Sequence, residues 1–123
     1  MFQRFLFLVS LFLIPQVVFA HAHLKKSDPK ANSVVNKVPQ KIVLSFSEPL
    51  ETAMSKVEVK DSAGKAVASG PVTASTDDPR SVEVALKEMK ESKDTYEVSW
   101  KAVSKDTHKM AGSFKFTVEP KAK

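Results

Sequence analysis

The sequence predicts an all-β domain, an Ig-like Greek-key antiparallel β-sandwich or barrel of about seven strands, preceded by a cleaved leader. Three observations predict it. Apolar residues recur at period two in short runs, and Pro- or Gly-bearing turn segments separate those runs about every 8–12 residues. The chain has 123 residues and no cysteine, so one packed core must hold it together. No long stretch carries the 3.6-residue period of an amphipathic helix.

The first twenty residues read as an address. Arg4 precedes an apolar run from Phe5 to Ile14, Pro15 breaks it, and Val18 and Ala20 supply the small residues before a junction. The run is too short to span a bilayer, which takes ~20 apolar residues. The domains expected are therefore a signal peptide at 1–20 and a single functional domain at 21–123, with His21 as the mature N-terminus. Losing Arg4, the only charged residue of the leader, takes the formal charge from +5 to +4. Lysines are spread along the chain with little aromatic interleaving, so the basic balance reads as a solvated exported domain and not as a nucleic-acid interface.

Within the mature part, Ile42, Leu44 and Phe46 fall on one face of Lys41–Phe46. Val57 and Val59 alternate with Lys56, Glu58 and Lys60. Asp61-Ser62-Ala63-Gly64 then makes a turn, with Gly64 free to take positive φ. A short strand over Ala66–Ala68 is expected to end at Gly70-Pro71. Val82, Val84 and Leu86 mark the next strand, Tyr96, Val98, Trp100 and Ala102 a longer one, and Phe114, Phe116 and Val118 the last. Glu83–Lys93 has helix-forming composition but reads better as a strand end followed by a loop. Tyr96 and Trp100 suit an Ig-like core.

The sequence holds no GxSxG, HExxH, phosphate loop or CxxC, and without cysteine no hydrolase or redox constellation stands out. The three histidines are the informative residues: His21 and His23 at the mature start, and His108 in Ser104-Lys105-Asp106-Thr107-His108. An N-terminal His can close a chelate ring through its amine and imidazole. The amine's reference pKa of ~7.7–8 lets a strong Lewis acid displace its proton. Asp106 and His108, two apart, would project to the same side of an extended segment. Amine, imidazole and carboxylate donors in tetragonal geometry favour Cu(II). Two other readings remain open. Asp-Thr-His can be an Asx-type turn. His-Ala-His can bind Cu(II) or Ni(II) through the amine, two deprotonated amides and His23, provided the terminus is flexible.

At these residues the chain resembles the CopC family of exported copper-binding, copper-resistance proteins. The matching segments are His21-Ala22-His23-Leu24, Ser27-Asp28-Pro29, Leu44-Ser45-Phe46-Ser47-Glu48-Pro49-Leu50, Tyr96–Ser104 and Asp106–Phe114. The resemblance implies a small Ig-like Greek-key sandwich that binds copper in the periplasm or an equivalent compartment. It implies a Cu(II) site at His21, Asp106 and His108, with Glu48 added in some members. Members with a separate Cu(I) site carry a methionine-rich loop, since thioethers select Cu(I). Here Asp61–Thr76 contains no Met, so a dedicated Cu(I) site is not expected.

The function expected is a non-catalytic, monomeric copper carrier or buffer, with an inner-membrane copper transport protein as the partner it would serve. The competing reading is a small copper-dependent oxidative enzyme built on an N-terminal histidine chelate. A carboxylate in the copper plane would fill a position the oxidant needs, and residues 21–123 leave little room for a carbohydrate platform. A plain Ig-like domain with incidental histidines would bind no stoichiometric metal.

Overall fold

The structure, a computed structural model, describes residues 23–87 and 89–121. The expected leader, residues 1–20, lies outside the described residues. Two four-stranded sheets pack face to face. The strands are β1 (Leu24–Asp28), β2 (Val34–Val35), β3 (Lys41–Phe46), β4 (Lys56–Lys60), β5 (Ala68–Ala74), β6 (Ser81–Leu86), β7 (Asp94–Val103) and β8 (Lys109–Val118). One sheet runs β1-β3-β6-β5 and the other β2-β8-β7-β4. Neighbours in sequence such as β3 and β4, β4 and β5, and β6 and β7 fall in different sheets, so the chain repeatedly crosses the sandwich.

Period-two patterning does what it should. Ile42, Leu44 and Phe46 of β3 are buried, as are Val82 and Val84 of β6, Tyr96, Val98 and Ala102 of β7, and Phe116 and Val118 of β8. Fully burying one such side chain stabilises the fold by ~1.5–3 kcal/mol, which lets a cysteine-free chain of this length hold together. Tyr96 stacks on Phe116 with ring centroids 5.5 Å apart. Trp100 meets Phe46 edge-on across the sandwich at 6.4 Å and leans on Phe114 at 6.0 Å.

Gly112 pairs with Trp100 across the β7–β8 ladder. A Cβ at Gly112 would lie 2.2 Å from the indole Cζ2, so the indole occupies the space a side chain there would need. At the β4–β5 turn, Gly64 takes φ +83°, as expected from the sequence. Asp61 Oδ1 accepts the Ala63 and Lys65 N–H groups in the same turn. The Ser62 hydroxyl also bonds the Asp94 carboxyl and holds its pKa below the ordinary carboxylate value, tying this turn to the start of β7.

Three details differ from the expectation. Eight strands stand among the described residues where about seven were expected, and the additional pair β2–β8 is parallel. Two residues cannot display a period, and Val34 is 60% exposed, so β2 had no pattern to reveal it. The strand expected to stop at Gly70-Pro71 instead runs through both residues to Ala74. It is an edge strand, and its register shifts between Ser69 and Thr73, where a missing proline donor is tolerated. Finally, Ser45 is buried although its period points it away from Ile42 and Leu44; its hydroxyl bonds that of Ser81 at 2.7 Å.

Candidate metal centre

Two segments that leave the sandwich at the same end build the centre. After β3, residues 47–51 run out of the sheet and are fixed on both flanks. On one flank the Ser47 N–H donates to the His23 carbonyl at 3.0 Å, and the His23 N–H donates to Ser47 Oγ at 2.8 Å. On the other flank Leu50 bridges Ser104, the Glu51 N–H donates to the Val103 carbonyl at 2.8 Å, and the Lys105 N–H donates to the Pro49 carbonyl at 3.1 Å. Glu48 therefore sits between the start of β1 and the end of β7. An ion pair between Lys105 and Glu51 (3.3 Å) closes the outer edge.

The second segment is the Ser104–His108 turn joining β7 to β8. Ser104 donates its N–H to the His108 carbonyl (2.9 Å) and accepts the Thr107 N–H (2.9 Å) on its own carbonyl. Its hydroxyl accepts the His108 N–H at 3.1 Å. Thr107 takes φ +68°, a left-handed conformation that β-branched residues rarely adopt. This corrects the expectation of an extended Asp106–His108 strand. The convergence of the two side chains comes from a tight turn and not from the alternation of a strand.

The result is a group of three. One ligating atom from each of Glu48, Asp106 and His108 lies within 4.8 Å of the others. Donors ~2.0–2.2 Å from one first-row ion stand at most about 4 Å apart across it, so small side-chain rotations suffice to close the set. Asp106 and His108 are exposed, and Glu48 is half-buried. Glu48 Oε2 is fully withdrawn from solvent and has no hydrogen-bond partner among the described residues. A buried carboxylate oxygen left this way is costly unless a cation or donor meets it.

Of the other residues singled out in the sequence, His21 lies outside the described residues. His23 is exposed and is not one of the three converging residues, although its backbone adjoins Ser47. Its amide is engaged by Ser47 Oγ, whereas the flexible three-residue chelate would have to deprotonate that amide. Sequence reasoning assigned no role to Ser47 or Ser104, the serines that fix the segments bearing the candidate ligands. A serine beside a candidate ligand is too common a residue to single out.

Comparison with known proteins bears on the family and the fold. The family model for the CopC domain matches residues 24–119. The chain belongs to the CopC family. Among CopC relatives, copper resistance protein C of Escherichia coli is 39% identical over 106 residues, covering 81% of this chain and 82% of that protein. The copper transport protein CutJ of Bacillus subtilis (strain 168) is 32% identical over 118 residues, covering 94% of this chain. The chain spans only 22% of the length of CutJ. The crystal structure of CopC from Methylosinus trichosporium OB3b superposes with a TM-score of 0.75 at 29% identity, covering 84% of this chain and 98% of that one. PcoC from Escherichia coli, described as a methionine-rich copper resistance protein, gives 0.70 at 36% identity over 81% of this chain and all of its own.

Proposed function

We propose that this CopC-family chain is an exported, periplasmic copper-binding protein that carries or buffers copper as Cu(II). One ion would be held by the freed amine and imidazole of His21, by Asp106 and by His108, with Glu48 as a further donor. The observation that carries the reading is the convergence of Glu48, Asp106 and His108, with Glu48 Oε2 buried and without a hydrogen-bond partner among the described residues. A bound cation removes that penalty.

Three further points support it. Residue 21 is two peptide units from His23, ~7 Å of chain at most, and His23 is stitched to Ser47 next to Glu48. Two carboxylates balance a divalent ion with neutral nitrogen donors completing the set, whereas a monovalent ion would leave net negative charge in a half-buried place. Oxygen and imidazole donors without thioethers suit Cu(II) over Cu(I). With both carboxylates taken up by the ion, few positions remain for an oxidant, so a binding role is preferred to an oxidative enzyme. Delivery to an inner-membrane copper transport protein, by a monomeric carrier, completes the reading.

The test is a competition titration with Cu(II) on chains with defined N-termini. The chain starting at His21 is expected to take one ion. A chain retaining residues before His21, and the His108→Ala variant, should each bind at least ~10-fold more weakly, a loss of ~1.4 kcal/mol or more. Equal binding by the N-terminally extended chain would overturn the amine chelate. Loss in His23→Ala alone would point to the three-residue chelate instead.

A further inference from the structure

We infer that Ser104 is the positioning residue of this centre: buried beneath the turn, it fixes the His108-bearing and Glu48-bearing segments in one arrangement before an ion arrives. The inference rests on reading Glu48, Asp106 and His108 as the ligands.

Ser104 is 0% exposed, at a place where a polar side chain persists only if its hydrogen bonds are made. It makes them to the ligand turn. Its hydroxyl accepts the His108 N–H, its own N–H donates to the His108 carbonyl, and its carbonyl accepts the Thr107 N–H. Both backbone polar groups of His108 are thus held by one residue. The same residue bridges Leu50, two positions after Glu48. The flanking bonds from Glu51 to Val103 and from Lys105 to Pro49 run on either side of that bridge. Ser104 is therefore the point at which the two ligand segments meet.

A second buried serine reinforces the junction. Ser55 Oγ accepts the Val103 N–H at 3.1 Å and donates to the Glu51 carbonyl at 2.8 Å. The left-handed Thr107 between Asp106 and His108 needs such restraint, because a non-glycine residue holds that conformation only when its surroundings over-determine it. Ligands already fixed in place lose little freedom on binding, which strengthens binding without any added contact.

The experiment compares Ser104→Ala and Ser104→Thr, each beginning at His21, by Cu(II) competition, by the electron paramagnetic resonance of the bound ion, and by thermal unfolding without copper. Groups that orient metal ligands typically change affinity ~10–100-fold when removed. Folded Ser104→Ala is expected to lose affinity in that range and to broaden or shift the copper spectrum. Ser104→Thr, which keeps the hydroxyl, should recover most of both. Ser55→Ala should show a smaller loss in the same direction. Independently of any variant, amide exchange at His108 in the copper-free wild type should be slow, as a tethered N–H requires.

Folded Ser104→Ala that binds within ~3-fold of wild type with an unchanged spectrum would overturn the inference. So would fast exchange at the His108 amide, which decides the matter even if Ser104→Ala does not fold. Undiminished binding by His108→Ala would instead sink the reading of the ligands themselves.

Discussion

Glu48 Oε2 is a carboxylate oxygen withdrawn from solvent with no hydrogen-bond partner among the described residues. A polar oxygen withdrawn from water without a hydrogen bond costs the copper-free chain free energy. Glu48→Gln removes the charge and keeps the shape. The copper-free variant is expected to be more stable by about 1 kcal/mol, read as a melting temperature several degrees higher. Its affinity for Cu(II) should fall. A variant that is both less stable and equally avid would show that Glu48 serves the fold and not the ion. The opposing signs distinguish a residue kept for binding from one kept for packing.

Among the strands, the close meeting of Gly112 with Trp100 makes the sharpest prediction. Gly112→Ala puts a methyl 2.2 Å from the indole, so Trp100 must leave its place against Phe46 and Phe114 or β8 must move away from β7. Overpacking of this kind costs ~1–3 kcal/mol. A lower melting temperature and a shifted tryptophan emission are expected, while unchanged values of both would show that the ladder yields freely. The positions of Ile42, Leu44 and Phe46, or of Tyr96 and Val98, were legible in the sequence because one buried face imposes period two. β2 was not legible because two residues display no period, and the passage of β5 through Pro71 depends on its being an edge, which only the assembled sheet reveals. At the site, Asp106 and His108 could be named from spacing and rarity. Their convergence was expected for a reason that fails here, since a left-handed Thr107 and not strand alternation brings them together. Glu48 was named only through the family resemblance, because its proximity to residues some sixty positions away is a product of the Leu50–Ser104 bridge.

For the molecule as a whole, a ligand that binds the folded chain alone raises its stability by mass action. At a free Cu(II) concentration 100 times the dissociation constant the gain is ~2.7 kcal/mol. That corresponds to a rise of about 10–20 °C in melting temperature for a domain of this size. The chain beginning at His21 should show the rise and the His108→Ala variant most of its loss; a melting temperature indifferent to copper in the former would contradict a stoichiometric carrier. The ladder of β8 adds a practical corollary. Asp106 and His108 stand just before its first residue, Lys109, and the strand then travels ten residues to Val118, about 30 Å at the usual rise. A fluorophore, affinity handle or surface tether joined beyond Val118 would thus be insulated from the ion by the length of the sandwich, whereas the same attachment at residue 21 would block the nitrogen proposed to chelate it. An immobilised copper sensor made from this chain should be anchored by its tail.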